Sequence, residues 1–595
     1  MNVASGANLV SQFFEQVENK GESPFLWSKQ DVQYQPITWR EAAADVSTLA
    51  RALKGRGVKK GDRVILVSEN RPEWLIADLA IMAAGGITVP AYCTNTVDDH
   101  HHIITDSGAR AAIVSTHRLA EHFLPAAQKA GDQNFVVTME PPGIHQTLGF
   151  DILDWAAMLD EGRHEHDNII EAAATIDPDD TACIIYTSGT GGAPKGVMLH
   201  HRAVLHNCAG ALDALLELGL GDEVFLSFLP LSHSYEHMAG HFFPISIGAQ
   251  IYYAEGVETL SSNMQEANPT IMTAVPRLYE MMHQRILRGV EKAGGTKEKL
   301  FRKTLELGTR RYHDPGSLSF GDKFTDFFLE RLVRDKVRAR FGGRLKALVS
   351  GGAPLNPDIG IFFTALGLRI LQGYGQTESA PVISVNRPSN PRMDTVGPPI
   401  LDTEVRIAED GEILVRGDLV MQGYWGNEEI TNEVLRDGWL HTGDIGVFDE
   451  AGHLKITDRK KDIIVNSGGD NLAPQRVEGI LTLQPEITQA MVYGDRHPHL
   501  VALLVPDEEW AQQWSAENGI SFDLGHLKDN KDFLSALAQA VDRVNDRLSN
   551  IEKVRHFTLA DEPFSIGNGQ MTPTLKIRRH VLKEIYGDAL EALYG

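Results

Sequence analysis

Between residues 36 and 115 the chain alternates two kinds of apolar pattern. Ile37-Thr38-Trp39-Arg40 leads into the helical stretch EAAADVSTLARALKGRG, which Gly57 closes and Gly61 soon follows. RVILVSEN then reads as a buried strand, because its apolar residues run on without alternating. The helical WLIADLAIMAAGG and the short apolar TVPAY come next. Strand and helix in such succession predict a mostly parallel sheet covered by helices. Strand-like runs recur at 181–186, 223–229, 250–253, 346–350 and 369–371.

Residues 277–340 have another texture. They read as long, charged, amphipathic helices: RLYEMMHQRILRGVEKAGG, KEKLFRKTLELGTRRYH and FTDFFLERLVRDKVRARF. The glycines at 294–295 and DPGS at 314–317 separate them. From about residue 395 the pattern shortens to strands and turns, as in TEVRIAEDGEILVRG and GVFDEAGHLKITD. A polar, glycine-containing stretch at 459–476 precedes a compact α+β tail. The expected organisation is an α/β chain with a large N-terminal domain over 1–458. Its small β-rich subdomain spans about 395–458, and a small α+β C-terminal domain covers 459–595. No internal repeat is evident.

Composition narrows the function classes. At roughly 150 residues per domain, 595 residues suggest about four modules. An apolar content of 42% and a charged content of 23% suit an ordinary soluble protein with an ample core. The cysteines, Cys93, Cys183 and Cys208, form no CxxC pair, so neither a zinc knuckle nor a disulfide framework is expected. A net charge of -24 argues against broad nucleic-acid binding and against docking on anionic lipid by overall charge, while leaving room for a local basic patch. The start lacks a basic segment followed by an apolar one. No stretch approaches the roughly 20 apolar residues of a spanning helix. The expectation is a cytoplasmic protein, with peripheral contact at the inner face of a membrane left open. Nothing in the sequence sets the oligomeric state.

The strongest local signal is Tyr186-Thr187-Ser188-Gly189-Thr190-Gly191-Gly192-Ala193-Pro194-Lys195-Gly196. A buried strand runs into a loop of Gly, Ser and Thr, whose N–H groups and hydroxyls suit phosphate oxygens, and Lys195 adds a point charge. Neither familiar template fits. A P-loop needs GxxxxGK[ST], yet the sixth position from Gly189 is Pro194 and Gly196 follows Lys195. A GxGxxG fingerprint fails at Pro194 as well. By composition alone the segment also fits a plain surface loop.

This loop resembles the nucleotide signature of the adenylate-forming superfamily, usually YTSGTTGxPKG, with Gly191 in place of the second Thr. Further stations follow in the family's order and span nearly the whole chain. The resemblance implies that Thr187, Ser188, Gly189, Thr190 and Lys195 hold the phosphates of ATP, with Thr190 also near Mg²⁺. Gly351-Gly352-Ala353-Pro354 resembles the wall of the adenine pocket. In Gly373-Tyr374-Gly375-Gln376-Thr377-Glu378 it implies a Tyr374 ring on adenine, Thr377 near the α-phosphate and Glu378 on Mg²⁺, a hard oxygen for a hard cation. Alone, Glu378 also fits a helix N-terminal acid. In Asp437-Gly-Trp-Leu-His-Thr-Gly-Asp444 the resemblance implies that Asp444 accepts from the ribose hydroxyls. It makes Arg459 a second ribose or phosphate contact and Lys461 the hinge of a mobile C-terminal domain. It makes Gly468 and Gly469 part of a loop lining the pantetheine tunnel of coenzyme A. In Thr574-Leu-Lys576-Ile-Arg-Arg579 it makes Lys576 the catalytic lysine.

His233, His237 and His241 stand at i, i+4 and i+8 and would share one helix face. Without HExxH or a nearby cysteine, a metal site is a poor reading of them. The resemblance carries over His233 alone, bordering the acyl and adenylate sites. The helical insertion at 277–340 resembles that of long-chain acyl-CoA synthetases. Phe225, Phe228, Tyr235, Phe242 and Phe243 could line an alkyl tunnel or simply be core. The expected substrates are therefore a long-chain fatty acid, ATP and coenzyme A, with Mg²⁺ as cofactor. Two rivals stay open: a ligase that stops at acyl-AMP, and a nucleotide-binding module without catalysis.

Overall fold

A computed structural model describes residues 6–143, 148–187, 193–460, 462–468, 470–572 and 575–595. Two eight-stranded sheets form the centre of the N-terminal part. In the first, Arg63–Val67 lies between Ile87–Ala91 and Ala111–Val114, parallel to both. Val64, Ile65, Leu66 and Val67 are all buried, as a strand covered on both faces requires. The helices Trp39–Gly55 and Pro72–Ala83 flank this strand in sequence, and Thr38 and Glu41 form a capping box that starts the former. At one edge, Thr181–Thr187 and Lys195–His200 make an antiparallel hairpin, which Gly423–Tyr424 extends.

The second sheet runs from Val382–Val385 through Ile370–Gly375, Ala347–Ser350, Ile271–Ala274 and Val224–Ser227 to Gln250–Tyr253 and the N-terminal hairpin. Its central pairs are parallel. The alternation of strand and helix in the sequence is thus realised as two helix-covered, largely parallel sheets. The β-rich region is a separate five-stranded sheet, in which Trp439–Phe448 pairs with both Glu412–Arg416 and Leu454–Arg459. Beyond it, Ile487–Tyr493, Leu500–Pro506 and Val554–Leu559 form a small sheet with its own apolar cores.

The charged insertion forms the helices Pro276–Ala293 and Gly295–His313, broken at Gly294 with φ 55°. The third helix begins earlier than expected, at Phe320, because Ser319 and Asp322 make a capping box. It also carries a π-helical turn at Glu330–Arg334. Arg334 is fully buried there, paired with Asp326 at 2.7 Å and donating Nε–H to the Ala365 carbonyl at 2.8 Å.

Candidate active site

Thr187 pairs with Lys195 across the hairpin. Ser188, Gly189 and Thr190 lie outside the described residues. Thr187 and Lys195 line a cleft of about 2660 Å³ that receives strand ends from both large sheets and the β-rich sheet. The hairpin needs Gly196, because a Cβ there would lie 2.7 Å from the Ile184 side chain. Nearby, the Tyr186 hydroxyl donates to Asp106 at 2.6 Å. Lys195 Nζ lies 5.3 Å from the centre of the Tyr424 ring, within cation–π range.

Strand Ile370–Gly375 delivers Gly373, Tyr374 and Gly375 to the same cleft, with Gln376 following. Gly375 admits no side chain, since a Cβ would sit 1.8 Å from the Pro381 carbonyl oxygen. One 3-10 turn then presents Thr377 and Glu378. The hydroxyls of Thr377 and Ser234 are 3.0 Å apart. Glu378 Oε1 accepts from the Tyr424 hydroxyl at 2.8 Å. Strand Ala347–Ser350 ends at Gly351, Gly352, Ala353 and Pro354, all on the cleft wall. Gly351 packs against the Tyr235 ring, where a Cβ would approach within 2.9 Å.

Asp444 and Arg459 are direct partners across the strands Trp439–Phe448 and Leu454–Arg459, with Arg459 Nε 3.3 Å from Asp444 Oδ1. The other oxygen, Oδ2, accepts from the Tyr374 hydroxyl at 2.7 Å. Burial raises the Asp444 pKa, and Arg459 followed by Tyr374 oppose the rise.

Lys576 reaches this cluster from the C-terminal domain. Two bonds tie it to Thr572, with Lys576 N–H donating to Thr572 Oγ1 at 3.0 Å and Thr572 N–H donating to the Lys576 carbonyl at 2.8 Å. The side chain keeps solvent-accessible surface, yet it lies within the cleft among enough protein to lower its ammonium pKa. Desolvation is the main cause and Arg459 adds to it, while Asp444 and Glu378 pull the other way. His233 also feels the Lys576 charge. Burial first, and Lys576 second, bring its pKa down to about 3, so it is neutral at physiological pH. Its Nδ1 accepts from Tyr235 N–H at 3.2 Å, which leaves Nε2 to carry the proton.

Not every residue singled out in the sequence meets here. Gly468 is exposed and outside the cleft, its N–H donating to Asn466 Oδ1 at 2.9 Å. Lys461 and Gly469 lie outside the described residues. The three histidines do not form one even helix face, because His237–Phe242 is a π-helical segment. His237 meets buried Asp78 at 2.8 Å, and His241 Nε2 shares a hydrogen bond with the Tyr253 hydroxyl at 2.9 Å. Among the aromatic rings, Phe225, Tyr235 and Phe243 line the cleft with Ala211, Ala214, Met238 and Ala239. Phe242 packs on the His237 ring instead, and Phe228 joins core clusters beside it. Sequence reasoning missed Tyr424 and Ser234. The former sits in a two-residue strand with no periodic signature.

Two family models match the chain: AMP-binding enzyme over residues 13–425, and AMP-binding enzyme C-terminal domain over residues 461–595. The chain belongs to the AMP-binding enzyme family. Within it, the chain is 32% identical to long-chain-fatty-acid–CoA ligase FadD15 of Mycobacterium tuberculosis, over 99% of this chain and 97% of that protein. It is 30% identical to the human long-chain-fatty-acid–CoA ligase 1, over 98% of this chain and 85% of that one. Solved structures share its fold. The adenylation domain of a carboxylic acid reductase from Segniliparus rugosus, in complex with AMP and a co-purified carboxylic acid, superposes with a TM-score of 0.79 at 21% identity, over 99% of this chain and 94% of that one. ATP-bound MatB from Rhodopseudomonas palustris gives 0.71 at 24% identity, over 98% of this chain and all (100%) of that one.

Proposed function

We infer that this chain is an AMP-forming long-chain fatty-acid–CoA ligase. It uses ATP to convert a fatty carboxylate to acyl-AMP, releasing pyrophosphate, and then transfers the acyl group to coenzyme A, releasing AMP. The observation that carries this reading is the seating of Lys576 in one cleft with Asp444, Arg459, Thr377, Glu378 and His233, beside an apolar lining.

The chemistry follows from charge. An anionic carboxylate must approach the anionic α-phosphate, so the site has to supply cations and exact positioning of the reactants. Lys576 is the group to bridge the carboxylate and the α-phosphate. Asp444 accepts from the ribose hydroxyls, with Tyr374 and Arg459 fixing its two oxygens. Neutral His233 borders the acyl group and donates from Nε2. The Gly351–Pro354 wall and the Tyr374 ring enclose adenine, and Thr187 and Lys195 approach the phosphates. The carboxylate oxygen bonds to the α-phosphorus as the bond to pyrophosphate breaks.

Glu378 fits a Mg²⁺ role. It offers hard oxygens on the cleft wall, and Tyr424 orients one of them. Among the described residues no group of three or more His, Cys, Asp or Glu could hold a metal alone. That suits Mg²⁺, which takes one or two carboxylates and completes its shell with phosphate and water. Bound with ATP, it would neutralise phosphate charge.

In the second half the C-terminal domain rotates about Lys461. Lys576 then withdraws, and Gly468 moves from the surface to the thiol path. The thiol sulfur attacks the acyl carbon and AMP leaves. The arrangement described above, with Lys576 inside and Gly468 outside, matches the first half of this cycle. Small Ala211, Ala214 and Ala239 beside Phe225 and Phe243 support an alkyl chain in the apolar part of the cleft. Each buried CH₂ would add about 0.8 kcal/mol of binding.

The test is pyrophosphate and AMP release by the purified protein with ATP, Mg²⁺ and fatty acids from short to long, with and without coenzyme A. CoA-dependent AMP release that peaks at long chains is expected. Pyrophosphate release without thioester would instead identify a ligase that stops at acyl-AMP.

A further inference from the structure

We propose that the exposed face of the helix Phe320–Leu329, continued through Glu330–Arg334, is a docking surface for bilayers that carry anionic lipid. Phe320 is 88% exposed, Phe324 63%, Phe327 74%, Phe328 49% and Leu332 47%. Four of the five exposed phenylalanines among the described residues therefore fall in nine consecutive positions, which scattered surface apolarity does not produce. Their spacing of four, three and one residues puts them on one side of the helix. Phe328 packs edge-on against Phe324 at 5.0 Å and Phe327 at 5.7 Å, making a continuous aromatic surface.

The opposite side fixes the helix in place. Leu329 is buried with Leu307 and Leu318. Asp326 is buried and accepts from Arg334 at 2.7 Å and from Arg311 at 2.9 Å. An element anchored this firmly, with a capped start, presents its rings to solvent as part of its folded position.

Charge decides the occupant. The whole chain carries -24, yet residues 320–340 contain six basic against four acidic residues. All four acids are engaged internally: Asp322 with Arg310, Asp326 with Arg334, Glu330 with Arg334 and Arg338, and Asp335 with Arg338. Lys323, Arg331, Lys336 and Arg340 are exposed, and no ion pair engages them among the described residues. The charges left free on this element are therefore cationic. Phenylalanines with flanking cations match a bilayer interface, where rings enter the acyl boundary and ammonium and guanidinium groups meet anionic headgroups. A second copy of the chain, packed face to face, would bring these cations against their own copies. The biological use rests on the fatty-acid reading: such an acid partitions into bilayers, and a ligase seated there takes it from the lipid phase.

The test is flotation of the full-length protein with vesicles of mixed phosphatidylcholine and phosphatidylglycerol, with pure phosphatidylcholine as the neutral control. Wild type should float with the mixed vesicles, and about tenfold less with neutral ones or at high salt. Phe324→Ser with Phe327→Ser, and separately Lys323→Glu with Arg331→Glu, should each weaken partition about tenfold. These exposed positions leave the core intact, which thermal melting would verify. Turnover of a monomeric medium-chain acid in buffer should stay at the wild-type rate, while turnover of palmitate supplied in mixed vesicles falls several-fold. Wild type that stays unbound, or variants that float like wild type, would overturn the proposal. So would a wild-type dimer that the phenylalanine variants dissociate. Flotation as expected with no fatty acid activated would sink the ligase reading and leave the docking surface standing.

Discussion

The Tyr374 hydroxyl donates to Asp444 at 2.7 Å, and this bond ties a strand of a large parallel sheet to the β-rich sheet. Asp444 is thereby held between a phenol and the Arg459 guanidinium. Burial favours its neutral form, and these two donors favour the carboxylate. In the proposed role of Asp444, a nucleotide ribose would meet an acceptor already oriented.

Asp444→Ala should raise KM for ATP by on the order of 10–100-fold, since bonds to a charged group contribute about 1.5–3 kcal/mol. Tyr374→Phe keeps the ring and loses one neutral donor, so about fivefold is expected. Steady-state pyrophosphate release against ATP concentration measures both. A Tyr374→Phe effect as large as that of Asp444→Ala would mean that the phenol itself contacts the nucleotide.

Lys576→Ala should slow acyl-AMP formation by on the order of 10²–10³-fold, the usual cost of removing one charge-stabilising donor. Thiolysis of supplied acyl-AMP should remain near wild type, because in the proposed cycle Lys576 has left the cleft by then. The adenylation rate of the wild type should also fall at high pH as the ammonium deprotonates, through a pKa below its ordinary 10.5 because burial disfavours the charge. Single-turnover assays of each half-reaction separate these outcomes. An alanine variant that still adenylates at full rate would remove Lys576 from the chemistry.

The parallel sheets were legible in the sequence because strands such as Arg63–Val67 are apolar on both faces, and only a helix-covered sheet buries both. The convergence of the site was legible only through motif resemblance, since no periodicity links Tyr374 to Asp444 or Lys576. Tyr424 was invisible, being a side chain 46 positions from the Glu378 it orients, in a strand too short to have a pattern. The equal histidine spacing does not become one even helix face, for a local reason. A regular helix would align the three rings, but the chain takes a π-helical turn over His237–Phe242, where Gly240 lies against the buried Glu236 carboxyl.

Glu378→Gln should raise the Mg²⁺ concentration needed for half-maximal pyrophosphate release by about tenfold or more, since a neutral amide is a poorer ligand for a hard cation. Tyr424→Phe should raise it less, by about fivefold, through loss of the 2.8 Å bond that orients the carboxylate. Full chelation should abolish activity in all three proteins. A Mg²⁺ titration with ATP held saturating reads this directly. Coincident curves for wild type and Glu378→Gln would assign the metal elsewhere.

Glu236 supplies a pH-dependent stability. It is fully buried behind the cleft wall, accepting from Ser227 Oγ and Thr273 Oγ1, each at 2.6 Å. Burial pushes its carboxyl up from 4.5 to about 7, against the pull of those hydroxyls. A folded pKa above the unfolded one means the folded state holds the proton more tightly. The contribution is present in full below 4.5 and is lost as pH rises through about 7. It amounts to about 3 kcal/mol, in favour of the folded protein at low pH. Glu236→Gln keeps the shape and cannot ionise. Its melting temperature relative to wild type should therefore rise steadily between about pH 5 and about pH 8, the window of this titration. Scanning calorimetry of both proteins across that range decides the matter. Parallel stability curves would show that Glu236 keeps one protonation state on folding.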